Sequence, residues 1–149
     1  MSDTQIPVDD PVVAGLLSGP NLARLAYLGL DARPRVVPIW FAYADSDFIM
    51  ITGPKAAKVP ALQANGAVAL TVDSSSPPYH VLLVRGDATV ELTAGMAAEY
   101  PGIVERYLGS AGAKAYLARM NVKQQVRIRV HPASWRILDF VKRFPRSLR

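Results

Sequence analysis

The chain is predicted to be mainly β, a small antiparallel barrel of six or seven strands with a few short helices rather than a doubly wound sheet. Three observations lead there. Turn signals recur at short intervals, from Ser18-Gly19-Pro20 through Asn65-Gly66 to the two prolines of Asp73–Pro78. Apolar or alternating runs of strand length outnumber helical ones. The pattern turns helical over a long stretch only from Ala94 to Met120.

The elements follow in order. Asp9–Leu17 reads as a short opening helix, with Asp9 or Asp10 able to cap it and Pro11 in the first turn. Leu22–Leu30 is a first strand, and Asp31-Ala32-Arg33-Pro34 turns it into a second, Arg35–Phe41. Ala44-Asp45-Ser46 leads into a third, Asp47–Thr52, so the first three strands are expected to form an antiparallel meander. A short helix begins near Val59, tolerates Pro60 in its first turn, and is expected to stop on a left-handed cap at Asn65-Gly66. Ala67–Val72 is strand four. Tyr79–Glu91 is a long fifth strand in which Gly86 marks a bulge or a close backbone approach. In the helical region Ala97, Tyr100, Ile103, Val104 and Tyr107 share a face, and Gly109 divides it from a second helix over Ala111–Met120. Val126–Val130 alternates as a half-buried strand, and Trp135–Phe140 is a last strand.

At 149 residues, 50% hydrophobic and 19% charged, the chain has the size and composition of a single globular domain with its own core. Residues 1–8 are expected to be flexible and 141–149 to form a basic tail. The absence of cysteine removes disulfides, thiolate nucleophiles and cysteine-ligated metals together. His80 and His131 have no further ligand at metal-binding spacing, and no Ser-His-Asp order is recognisable. The longest apolar runs, such as Val81–Val84, are too short to cross a bilayer, and Met1–Thr4 lacks the marks of a signal peptide; the expected location is the cytoplasm, with no membrane partner. The net charge is +5, and residues 122–149 hold eight basic side chains against Asp139 alone. Such a tail fits an anionic partner or a solvated face. The aromatics of strands two and three sit in apolar runs, away from that charge, so nucleic acid is not the expected partner.

Residues 34–62 carry the functional signal. Two apolar strands empty into Gly53-Pro54-Lys55-Ala56-Ala57-Lys58, a lysine-bearing loop before a helix. Such a pair of strands can wall a flat slot with a cationic end, suited to a planar ring that carries a phosphate. Lys55 and Lys58 are the candidate phosphate contacts; the alternative for each is a solvated loop lysine. Trp40, on an apolar strand, reads as core or interface unless a ring lies against it.

With these elements placed, the chain resembles the FMN-binding split-barrel superfamily, typified by pyridoxamine 5′-phosphate oxidase and its deazaflavin-dependent relatives. The residues that carry the resemblance are Ala23–Ala26, Arg33–Phe41, Thr52-Gly53, Lys58–Leu62, Pro77–Gly86, Val130-His131-Pro132 and Trp135–Phe140. The resemblance implies a six- to seven-stranded antiparallel split β-barrel. It also implies a homodimer with one cofactor in each of two interface clefts. Val36, Val37, Pro38 and Trp40 would then run along the ring, Thr52 would lie near it, and Lys58 would take the phosphate. Tyr79, His80 and Arg143 would come from the other subunit.

Two departures from the family pattern bear on function. Ala57 stands where the common neighbour of the lysine is arginine, with Lys55 two residues earlier. No Arg-x-His pair follows Trp135, so pyridoxamine phosphate is not the expected substrate. The implied activity is hydride transfer to or from another small molecule with FMN, the alternative being the deazaflavin coenzyme F-420. A flavin supplies the redox chemistry itself, which accommodates the lack of a catalytic constellation. A flavin-binding carrier or sensor is the competing class.

Overall fold

The computed structural model describes residues 5–142. Helix α1 (Pro11–Ser18) starts where predicted, because the Asp10 carboxylate accepts the backbone N–H groups of Val12 at 2.9 Å and Val13 at 3.4 Å. Strands β1 (Ala23–Leu28) and β2 (Pro34–Ile39) form a hairpin, and β3 (Ala42–Ala44) and β4 (Asp47–Thr52) form another. Then come α2 (Lys58–Ala64), β5 (Ala67–Asp73), the long β6 (His80–Ala94), α3 (Tyr100–Ala118) and the long β7 (Gln124–Asp139).

All seven strands belong to one antiparallel sheet in the order β2-β1-β5-β6-β7-β4-β3. Its two outermost strands are chain neighbours. From Ile39, the end of β2, to Ala42, the start of β3, the chain can reach only about 11 Å. The sheet must therefore curl until its edges meet, and the edges are joined by chain rather than by a hydrogen-bond ladder. That is a split barrel, as expected. Inside it Leu25, Phe41, Phe48, Met50, Leu70, Leu82 and Ile128 are fully buried, each large side chain contributing about 2 kcal/mol by leaving water.

The meander does not form. Strand β2 ends at Ile39 instead of running to Phe41, and β4 pairs with β7, not with β2. The break comes from Phe41, which turns into the core while its N–H is taken by the Tyr107 hydroxyl at 3.1 Å. The two closing strands of the prediction are one strand, β7. Pro132 is accommodated because the register slips opposite it. Arg85 faces Ser134 and Gly86 faces Pro132, so Ala133 is the extra residue of a bulge. The inward row accordingly changes from Val126, Ile128 and Val130 to Trp135 and Ile137. Gly86 is required there: a Cβ would stand 2.2 Å from the His131 carbonyl oxygen. Asn65 is extended rather than left-handed, and the need for Gly66 lies in a close approach to the Ala88 carbonyl, 2.5 Å from a Cβ at that position.

Helix α3 is two helices joined at Gly109, whose φ of 74° and ψ of 172° break the helix as its glycine predicted. Its first half is tied to the sheet at several points. Arg127, on β7, binds the Glu99 carboxylate at 2.5 and 2.6 Å, and the buried Gln125 side chain accepts the Ala97 N–H at 2.9 Å. Tyr107 donates to the Asn21 carbonyl at 2.8 Å, and Arg106 donates to the Gly19 carbonyl while lying 4.4 Å over the Phe41 ring. Arg127 and Arg129, on the polar face of this alternating strand, hold ion pairs with Glu99, Glu91 and Asp47.

Candidate functional site

Strand β4 runs out of the barrel at Ile51-Thr52, and the loop after it returns through Lys58, the first residue of α2. That turn brings the Lys58 ammonium to 3.3 Å from the Thr52 hydroxyl, to which it donates. Among the described residues no carboxylate pairs with Lys58, and burial pushes its pKa below the ordinary lysine value. A half-buried cation with only a hydroxyl for company is what an anion would stabilise.

Two hollows adjoin at Ile51 and Tyr100. One, of about 600 Å³, is bounded by Thr52, Gly53 and Pro54 on one side and by the Met120–Gln125 segment on the other. The second, of about 430 Å³, is lined by Leu22, Pro38, Ile39, Trp40, Ile103 and Tyr116. The end of β2, the end of β4 and α3 thus build one continuous wall, to which Lys58 is joined through Thr52 without lining either hollow itself.

Of the residues singled out in the sequence, Pro38 and Trp40 line the second hollow, Thr52 lines the first, and Lys58 is bonded to Thr52. Lys55 is exposed on the loop. Val36 lies on the outer face of β2 with 65% of its surface exposed, whereas Val37, one residue on, packs against the core. Tyr79 is exposed, and His80 lines a separate hollow against α1 with Ser74 and Asn21. The His80 ring is 3.5 Å from the Asp139 carboxylate. The resemblance assigns Tyr79 and His80 to a partner's cleft; within one chain neither lines the two hollows beside Ile51. Arg143 lies outside the described residues.

Helix α3 contributes what sequence reasoning did not find. Trp40 stacks on Tyr107 with ring centroids 5.0 Å apart and planes within 5°, and meets Tyr116 at 6.2 Å. The apolar run that holds Trp40 gave no sign of these partners; two tyrosines flanking the glycine kink were the only hint. Among the described residues no group of three or more histidine or acidic side chains could hold a metal ion. Among the described residues no helix is long and apolar enough to cross a membrane.

A sequence model of the pyridoxamine 5′-phosphate oxidase family matches residues 10–139. No curated protein sequence matches the chain. Solved structures do. An F-420 reductase is 26% identical, with a TM-score of 0.64, over 82% of this chain and 94% of its own. A conserved hypothetical protein of Mycobacterium tuberculosis is 20% identical with a TM-score of 0.71, covering 95% of this chain and 91% of that one. An FAD-binding protein of Mesorhizobium loti is 18% identical with a TM-score of 0.55, over 83% and 89%. The last two similarities speak to the fold. With the split barrel in place and the family model spanning nearly all of it, the chain belongs to the pyridoxamine 5′-phosphate oxidase family.

Proposed function

We propose that the protein is an oxidoreductase that holds a flavin or deazaflavin by its phosphate at Lys58 and exchanges hydride with a small molecule other than pyridoxamine phosphate. The carrying observation is the Lys58–Thr52 pair: a half-buried ammonium, with no carboxylate paired to it among the described residues, bonded to a hydroxyl that lines the larger hollow. The residues present fit such a group. Lys58 would bind the phosphate, Thr52 would orient the lysine, and Ile51 and Pro54 would give the ring an apolar surface. The bound coenzyme supplies the hydride chemistry. The chain's own part is to bind, orient and exclude water. A homodimer, with Tyr79, His80 and Arg143 closing the partner's cleft, belongs to the same reading.

Between the two coenzymes, the deazaflavin F-420 is favoured. The F-420 reductase is similar along 82% of this chain, Ala57 removes the arginine that would be a second phosphate contact, and the hollow beyond Thr52 leaves room beside Lys123 for a longer anionic tail. FMN is the second reading, favoured by the short reach from Lys58 to the wall.

Absorbance titrations of the purified protein with F-420 and, separately, with FMN test the proposal. Saturable binding of one, weakened roughly 10- to 100-fold in Lys58→Ala as expected for a charge-assisted contact, supports it. Binding of neither overturns it. Saturable binding with no turnover of the reduced coenzyme against a panel of carbonyl and nitro compounds would point to a carrier or sensor instead.

A further inference from the structure

Two tyrosine hydroxyls meet in the wall of the 430 Å³ hollow. The Oη atoms of Tyr100 and Tyr116 are 3.2 Å apart, and the kink at Gly109 lies between them in the chain. The other walls, Pro38, Ile39, Trp40, Ile51 and Ile103, are apolar, and no lysine, arginine or carboxylate lines the space.

Two hydroxyls carry two protons, and the bond between them uses one. Among the described residues no protein group accepts the other from either hydroxyl. The hollow therefore presents, among apolar side chains, one donor without a protein acceptor, on a pair that solvent reaches. A ligand that covers the pair without a matching acceptor takes this donor from water and leaves it unpaired, a modest but readable penalty. Burial, with the neighbouring hydroxyl adding to it, pushes the Tyr100 pKa far above the usual phenol value. The pair consequently offers a proton to share and no negative charge.

We propose that this hollow is the substrate pocket, and that the Tyr100–Tyr116 pair selects a planar, uncharged molecule bearing one oxygen acceptor. The proposal rests on the coenzyme reading above, because the hollow adjoins the one beside Thr52 at Ile51 and Tyr100, where two bound ligands would meet. Its volume is in the range of small-molecule sites. A carboxylate or phosphate substrate would find no cation there.

The test compares 2-acetylnaphthalene with 2-isopropenylnaphthalene, in which a methylene replaces the carbonyl oxygen at nearly constant shape. Binding to the full chain is followed by quenching of tryptophan fluorescence, Trp40 being in the wall. The ketone is expected to bind about fivefold more tightly than the alkene, the worth of one neutral hydrogen bond. Either single variant, Tyr100→Phe or Tyr116→Phe, keeps one hydroxyl whose proton is now free, so the preference persists. The double variant loses it. Equal binding of the two probes by the wild type, binding of neither, or a preference that survives in the double variant overturns the proposal. Coenzyme titrations run alongside. Loss of coenzyme binding in the double variant would give the pair to the coenzyme and also overturn the assignment. Failure of the wild type to bind either coenzyme would remove the redox reading, while the probe preference still decides the pocket.

Discussion

Glu99 and Arg127 clasp each other through two hydrogen bonds, of 2.5 and 2.6 Å, at the point where α3 leaves the sheet. The next residue, Tyr100, stands in the wall shared by both hollows. The clasp thus fixes the helix end that shapes the candidate site.

This clasp makes stability depend on acid pH. The Arg127 hydrogen bond holds the Glu99 carboxyl below its ordinary value of 4.5, so the stability it contributes is full above that value and is lost as the pH falls through the lower, folded one. Thermal melts of wild type and Glu99→Gln should differ most near neutrality and converge in acid. A gap that stays constant with pH would mean that charge has no part in it.

Lys58 should cost the empty protein stability. Burial lowers its pKa, so the folded chain binds that proton less well than the unfolded chain, and stability rises with pH across the window between the two values. Lys58→Met, similar in length and uncharged, is expected to raise the melting temperature of the coenzyme-free protein, by about 0.5 kcal/mol or more in stability, while weakening coenzyme binding as Lys58→Ala does. A lower melting temperature would show that the Thr52 contact outweighs the burial.

Gly86→Ala should be among the most damaging conservative changes. The added methyl would meet the His131 carbonyl oxygen, a backbone atom that a side-chain rotation cannot move away. A loss of about 3 kcal/mol is expected from such overpacking, read by urea denaturation. Gly15→Ala, with nothing near its Cβ, is the control and should be neutral or slightly stabilising.

Tyr107→Phe removes one oxygen that serves two backbone groups, the Asn21 carbonyl and the Phe41 N–H. Both would lose their partner, at a cost of about 1–3 kcal/mol each if they stay dry. Because Phe41 marks the break between β2 and β3, this variant should also loosen Trp40, seen as a red shift of tryptophan emission. An unchanged spectrum would mean that the stacking on the ring alone holds Trp40.

Most element positions were legible because they rest on local chemistry. Asp10 before Pro11 starts α1, Gly109 breaks α3, and Gly86 marks the bulge, each for a reason contained within a few residues. What was illegible depended on partners far along the chain. The run Val36–Phe41 is apolar throughout, and only the hydroxyl of Tyr107 explains why the strand stops short. Pro132 looks like a terminator until Gly86 is placed opposite it. The candidate site divides in the same way. Thr52 and Lys58 are six positions apart and announce themselves, whereas Tyr100 and Tyr116 join Trp40 only through the tertiary packing of α3.

The ring topology also dictates an order of assembly. The hairpins β1–β2, β3–β4 and β5–β6 can each form from nearby sequence, but β4 must wait for β7, pairing Phe48 with Val130 and Thr52 with Val126. Contacts between such distant segments are entropically expensive to bring together and belong late in folding. Until that ladder zips, Ile51 and Thr52 have no fixed position against Tyr100. The pocket is then the last part of the molecule to exist, and a slow step in regaining ligand binding should outlast the recovery of secondary structure on refolding.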